Sequence, residues 1–179
     1  MDLELLDETC LKAEIDISNY CTDNEWTRLI DRLRQSQGLQ ELEITRSQGK
    51  IRSDGNLRRL FETVSNLRGL CKLILKYLSA SDLSSVQGTF SHFQDVQKLL
   101  IVLPDGSSPI SAGVAKNLST MPQLREISMA IGHGSFAISN LFSPTIESIV
   151  LDAPDIWLED EHFRLLVEKL KTNTLNKTY

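Results

Sequence analysis

The chain has 179 residues, of which 41% are hydrophobic and 24% are charged, and its formal net charge is −5 at pH 7. This composition is that of an ordinary globular domain, so it argues against a disordered or collagen-like chain. The negative charge disfavours nucleic acid as the main partner, because neutralising phosphates requires clustered Lys and Arg.

The amino-terminal sequence begins Met-Asp-Leu-Glu-Leu-Leu-Asp-Glu, which has neither the basic start of a secretory signal nor the arginine-rich character of a mitochondrial presequence. No apolar stretch approaches the ~18 residues that a membrane-spanning helix needs. The three cysteines, Cys10, Cys21 and Cys71, are odd in number and lie in apolar patterns, which favours reduced thiols. We therefore expect a cytoplasmic or nuclear protein with no membrane contact.

One apolar pattern recurs along the chain: a residue, a second three positions later, and a third two positions after that. Its copies are Leu39, Leu42, Ile44; Leu70, Leu73, Leu75; Val96, Leu99, Ile101; Leu124, Ile127, Met129; and Ile146, Ile149, Leu151. A degenerate copy, Lys12, Ile15, Ile17, precedes them. The pattern predicts short strands near 13–18, 41–45, 72–76, 98–102, 126–130 and 148–152.

Helical patterns lie between these strands. Two sets follow the i, i+3, i+4, i+7 spacing of an amphipathic helix. They are Trp26, Leu29, Ile30, Leu33 and Leu57, Leu60, Phe61, Val64. Weaker helical patterns are Phe90, Phe93; Val114, Leu118, Met121; and Phe163, Leu166, Val167, Leu170. Asp54, Ser81 and Asp160 are candidate helix starts. Alternating strands and helices at this short period predict an α/β fold with one curved parallel sheet and the helices on its convex side.

The first positions of the pattern, at residues 12, 39, 70, 96, 124 and 146, are 27, 31, 26, 28 and 22 residues apart. With this spacing and its Leu-x-x-Leu-x-Leu core, the chain resembles the ribonuclease-inhibitor-like leucine-rich repeats. Typical helix-to-strand joins of that class are Leu67-Arg-Gly-Leu-Cys-Lys-Leu and Met121-Pro-Gln-Leu-Arg-Glu-Ile. The resemblance implies a solenoid of about six βα repeats forming one domain over residues 1–179. A seventh repeat is expected to be cut short at Leu175–Tyr179.

The chain departs from this family at one position of each repeat. The family usually places Asn or Cys three residues after the last strand leucine, where it ties the loop backbone. Here those positions are Tyr20, Ser47, Leu78, Pro104, Gly132 and Pro154. We therefore expect irregular loops and transfer no particular member's activity.

Because strand side chains alternate between faces, residues between the leucine positions should lie on the concave face. The first column of this predicted map is Glu14, Glu41, Lys72, Lys98, Glu126, Ser148. The second is Asp16, Glu43, Ile74, Leu100, Ser128, Val150, and the third is Ser18, Thr45, Lys76, Val102, Ala130, Asp152. An apolar group with a charged rim is typical of a protein-binding surface.

We predict that this face binds another protein. The candidate partner-binding residues are Lys72, Ile74, Lys76, Lys98, Leu100, Val102, Glu41 and Glu43. In this hypothesis the apolar residues contact the partner, and the lysines steer an acidic surface towards it. The alternative is that the apolar strand at 99–103 is simply covered by a loop or another domain.

Catalytic and metal sites are weaker hypotheses. The carboxylates Glu14, Asp16, Glu41 and Glu43 could hold a hard cation, but a solvated acidic patch is the favoured interpretation. The histidines, His92, His133 and His162, fit no zinc spacing. We predict no cofactor. Trp26 is expected in the core, whereas Trp157 is left open between core and interface.

The sequence therefore predicts a monomeric, non-catalytic protein-interaction module, with neither nucleic acid nor membrane as partner. The second interpretation is a fragment of a larger leucine-rich-repeat protein, such as a ubiquitin-ligase substrate receptor, an immune-type receptor or a GTPase-activating protein. An enzyme is the third, and Arg46 is its one candidate residue, as a loop arginine aimed at a nucleotide.

Overall fold

A computed structural model of the chain describes residues 11–36, 38–47, 54–104, 108, 110–130 and 145–152. In chain order its elements are β1 Lys12–Asp16, α1 Asp23–Gln35, β2 Glu41–Thr45, α2 Asp54–Val64, β3 Lys72–Lys76, α3 Ala80–Val86, β4 Lys98–Val102, α4 Ala112–Leu118, β5 Glu126–Ala130 and β6 Ser148–Asp152. Short 3₁₀ helices cover Ile17–Asn19 and Gln87–His92. The six strands form one parallel sheet in the order β1-β2-β3-β4-β5-β6.

Strands β2 to β6 occupy the residues at which the sequence predicts them, but β1 begins one residue earlier and ends two earlier than expected. Its register is also different. Lys12 lies opposite Glu41, and Ala13 lies opposite Leu42, so Ala13 fills the position that the sequence assigns to Ile15. The prediction that Glu14 is a neighbour of Glu41 was therefore wrong. The alternation of apolar and polar residues does not distinguish the two registers of β1, because a shift of two residues keeps each side chain on the same face of the sheet.

The core lies between one face of the sheet and the helices. The leucine positions of β1 to β5 are buried there, and Leu42, Leu73 and Ile101 are 0% exposed. The helix stripes pack into the same cluster. Trp26 is 3% exposed, which confirms its predicted place in the core. At the centre, Phe61 of α2 meets Phe90 edge-on, with ring centroids 6.1 Å apart.

Helices α1 and α3 begin where a side chain hydrogen-bonds to a backbone N–H group of the first turn. Thr22 caps α1, and the Glu25 side chain accepts hydrogen bonds from the Thr22 N–H in return. This reciprocal capping box satisfies backbone donors that have no partner within the helix. Helix α3 begins with the same arrangement between Ser79 and Asp82, so the cap is Ser79 and not Ser81 as predicted. The helical pattern around Phe90 belongs to a 3₁₀ helix.

In the ranges that the structure describes, no helix combines the length and the apolar character needed to cross a lipid bilayer. Several predictions fall outside those ranges. They are the placements of Cys10, Gly132, His133, Pro154, Trp157 and His162, the helix around Phe163 to Leu170, and the seventh repeat.

Candidate functional site

The candidate surface is the face of the sheet that points away from the core, named here the non-core face. The strand register arranges its residues in three columns. The first is Lys12, Glu41, Lys72, Lys98, Glu126, Ser148. The second is Glu14, Glu43, Ile74, Leu100, Ser128, Val150, and the third is Asp16, Thr45, Lys76, Val102, Ala130, Asp152. Because strands lie about 4.8 Å apart, successive residues of a column are direct neighbours.

Ion pairs run along the first column. The Glu41 carboxylate lies 2.9 Å from the Lys12 ammonium and 3.1 Å from the Lys72 ammonium, so two lysines share it. Hydrogen bonds from Lys12 and Lys72 lower the pKa of Glu41 below its usual value of 4.5. On the other side, Lys98 pairs with Glu126 at 2.9 Å. The charges of this column therefore largely neutralise one another.

A more enclosed ion pair joins the second column to the third. The Lys76 ammonium lies 2.6 Å from the Glu43 carboxylate, and Glu43 is only 8% exposed. The Thr45 hydroxyl donates to the same carboxylate at 3.2 Å. The hydrogen bond to Glu43 raises the pKa of Lys76. Glu41 and Glu43 of β2 are thus paired with Lys72 and Lys76 of β3.

The apolar part of this face differs from the sequence-based expectation. Ile74 is 5% exposed, so it is not available as a contact residue, and its prediction as part of an exposed apolar group was wrong. It lies between Glu43 and Leu100 in the second column. Leu100 and Val102 are half-buried.

The apolar surface continues onto strands that the sequence-based site left out. Ser128 and Ala130 are half-buried on β5, and Val150 on β6 is 54% exposed. Together with Leu100 and Val102 they form what we name the uncharged strip. The sequence already contained this signal, because the second and third columns continue onto β5 and β6 with uncharged residues up to Asp152.

A cleft borders the non-core face at the amino ends of the first four strands. It has a volume of about 460 Å³. Its lining alternates residues of the first column with those just before each strand: Leu11, Lys12; Gln40, Glu41; Cys71, Lys72; and Gln97, Lys98. The cleft therefore crosses β1 to β4 and presents three lysines and one carboxylate beside uncharged groups.

At the carboxyl ends of the first two strands, Asp16 ties two loops together. Its carboxylate accepts hydrogen bonds from the Ser18 and Ser47 backbone N–H groups and from the Ser47 hydroxyl. Burial alone would raise the pKa of Asp16, but these hydrogen bonds outweigh it and hold the pKa below 3.8. Asp16 therefore joins the loop that follows β1 to the loop that follows β2.

Arg46, the candidate catalytic arginine, forms an ion pair with Asp82. Both side chains are largely enclosed, at 17% and 11% exposed. Asp82 also accepts from the Ser79 N–H, so the arginine is bound to the start of α3. This placement differs from the loop arginine aimed at a nucleotide that a GTPase-activating site would require.

Tyr77 follows β3 at the same end of the sheet and has a left-handed backbone, with φ of 60°. Its side chain is 48% exposed, and its N–H donates to the Val102 carbonyl at 2.6 Å. Residues other than glycine rarely adopt this conformation. No sequence pattern predicts the left-handed backbone of Tyr77, because a tyrosine with ordinary backbone angles at the end of a strand would give the same pattern.

The remaining candidates are dispersed. His92 ends the second 3₁₀ helix and is exposed, while Cys21 and Cys71 are free thiols. Within the described part of the chain, no three His, Cys, Asp or Glu side chains gather in a way that could hold a metal ion.

No protein-family model matches the chain, and no curated protein matches its sequence. In fold it is similar to a solved structure described as leiomodin-1 actin-binding site 2, with a TM-score of 0.52 and 8% sequence identity. The match covers 96% of this chain and 85% of that one. Identity this low shows the fold alone, and with the single parallel sheet and its helices it supports a leucine-rich-repeat-like α/β fold.

Proposed function

We propose that the chain is a non-catalytic protein-interaction module that binds another protein through the non-core face, with the uncharged strip at the centre of the contact. We further propose that its repeats stack as a solenoid of the ribonuclease-inhibitor-like class. The alternation of strands with helices supports this, as do strand starts 29, 31, 26, 28 and 22 residues apart.

The uncharged strip is the observation that carries the proposal. Interface centres are depleted of charged residues and surrounded by a polar rim. Here Leu100 and Val102 are half-buried and Val150 is 54% exposed, while Lys76 and Lys98 beside Leu100 and Val102 pair with Glu43 and Glu126. Covering Leu100 and Val102 would remove apolar surface from water beside charges that are already paired.

The fold comparison supports a protein as the partner class. The similar structure is described as an actin-binding site, so a fold of this kind presents a surface to a protein in that case. At 8% identity the two surfaces share little sequence, and actin itself is not proposed as the partner of this chain.

Substitutions on the strip test the proposal. Leu100→Asp and Val150→Asp each place a charge in the apolar contact, and we expect either to abolish capture of the partner that the wild-type chain retains from a lysate of its native cells. Val150 is the safer site for folding, because its side chain is already 54% exposed. Capture is quantified by mass spectrometry, and folding is checked by circular dichroism.

Ala112→Asp is the matched control. Ala112 is exposed at the first turn of α4, on the helix side of the sheet, where an added carboxylate is favourable. We expect this variant to capture the partner as the wild type does. Equal capture by the two strip variants and the control would show that the non-core face is not the binding surface.

A further inference from the structure

Two lysines lie opposite each other on neighbouring strands of the non-core face. Lys72 of β3 is in register with Lys98 of β4. Like charges directly across a strand pair are destabilising. Each ammonium group pairs with a carboxylate on its far side, Lys72 with Glu41 and Lys98 with Glu126. Because β3 and β4 are direct neighbours, no strand between them carries a carboxylate that could pair with both lysines.

Both lysines can be recruited by another anion at low cost. Their side chains are 40% and 55% exposed, and exposed ion pairs contribute little to stability. Glu41 keeps Lys12 at 2.9 Å when Lys72 turns away, so its carboxylate stays neutralised. Glu126 is half-exposed and is resolvated when Lys98 leaves it. The pair is therefore available without leaving a buried charge.

The surroundings of Lys72 and Lys98 indicate properties of the ligand besides its negative charge. The residues two positions later on the same strands are the apolar Ile74 and Leu100, so the second column offers no competing carboxylate beside the lysines on β3 and β4. On the other side lies the cleft, where Cys71 and Gln97 precede the two lysines. A ligand at this place meets cations first and apolar surface about 7 Å further along the strands.

We infer that the partner presents an acidic, otherwise apolar peptide segment, one carboxylate of which binds between Lys72 and Lys98 while a following apolar side chain contacts Leu100. This inference rests on the proposed function, because it names the chemistry of the partner that the non-core face binds. Charge complementarity sets the position of the segment, and the uncharged strip adds apolar contact.

The test is a titration of the isotopically labelled full chain with acetyl-Asp-Leu-Asp-Leu-Asp-amide, followed by NMR. The control peptide replaces each Asp with Asn. Lys72→Gln and Lys98→Gln are the test variants, and Lys116→Gln is their matched control. Lys116 is exposed on α4, on the helix side of the sheet, and undergoes the same charge change.

The acidic peptide should shift the amide signals of β3 and β4, and the Asn peptide should not. Loss of one charge-assisted hydrogen bond weakens binding by roughly tenfold, so Lys72→Gln and Lys98→Gln should each raise the Kd by about that factor. Lys116→Gln should change it by less than about twofold, because Lys116 lies on the opposite side of the sheet from the two test lysines. Raising the salt from about 20 to about 200 mM should weaken binding in all chains.

Three outcomes would overturn the inference: equal binding of both peptides, an equal effect of all three lysine variants, or tighter binding of a short single-stranded oligonucleotide than of the acidic peptide. The partner-capture experiment separates this result from the proposed function. If Val150→Asp abolishes capture and Lys72→Gln and Lys98→Gln do not, the face binds the partner but the carboxylate site is wrong.

Discussion

Lysine–glutamate ion pairs connect neighbouring strands on the non-core face, and Glu41 is the clearest case because two lysines share its carboxylate. A carboxyl group whose pKa is lower in the folded chain than in the unfolded chain stabilises the fold above its unfolded pKa, about 4.5 here. That contribution is lost as the pH falls through the lowered pKa. The ion pairs on this face therefore make stability depend on pH at the acidic end.

We predict that Glu41→Gln lowers the urea midpoint of unfolding at neutral pH, because the uncharged amide cannot pair with Lys12 and Lys72. The difference from the wild type should shrink below pH 4.5 and disappear once Glu41 is protonated in the folded chain. Urea unfolding curves from about pH 7 to about pH 2 measure this. A difference that stays constant over that range would contradict the assignment.

Tyr77 is a second residue-scale feature, because its backbone has a φ of 60°. A side chain in the left-handed region costs roughly 1–2 kcal/mol, and glycine escapes this cost. We therefore predict that Tyr77→Gly is about 1 kcal/mol more stable than Tyr77→Ala, the reverse of their order in an ordinary strand or helix. Both variants lose the aromatic side chain, so their comparison isolates the backbone term.

Chemical denaturation of the two Tyr77 variants provides the measurement. If the alanine variant equals or exceeds the glycine variant in its free energy of unfolding, the positive φ carries no cost at this position.

At the scale of elements, Arg46 and Asp82 connect the end of β2 to the start of α3. Asp82 takes part in the capping box of that helix while it pairs with the arginine. Helix α3 has only 7 residues, too few to be stable by propensity. Its position therefore depends on such tertiary contacts.

We predict that Arg46→Met destabilises the fold by about 2 kcal/mol, because it leaves Asp82 with a largely enclosed charge and no cation. Arg58→Met is the matched control. Arg58 pairs with Glu62 at 3.3 Å, but these side chains are 66% and 52% exposed, so its loss should cost less than about 0.5 kcal/mol. Urea unfolding compares the two, and equal losses would refute the structural role of Arg46.

At the scale of the whole molecule, each strand pairs with its neighbours along the chain, and the helices and strands bury one shared core. The aromatic rings of Phe61, Phe90 and Phe93 join α2 to the 3₁₀ helix that precedes β4. In the solenoid that we propose, one repeat cannot bury its own apolar face, so its stability depends on the repeats beside it. The non-core face is continuous for the same reason, because its columns run across all six strands.

The sequence by itself determined the strand–helix alternation, the residues of β2 to β6, and which side chains of β2 to β5 face the core. Spacing alone settles these, because alternation fixes the face of every strand residue and the helical period fixes the buried stripe. The predicted columns on β2 to β6 agree with the observed register for the same reason.

Only the tertiary structure decided the register of β1, the burial of Ile74, and the pairing of the charged residues. Cys10, Ala13 and Ile15 fit the apolar spacing as well as Lys12, Ile15 and Ile17, and a shift of two residues leaves the alternation intact, so spacing does not choose the register. The ion pairs and the burial of Ile74 depend on which side chains neighbouring strands bring together. Local sequence encodes the face that a residue occupies, whereas its partners come from residues about 30 positions away.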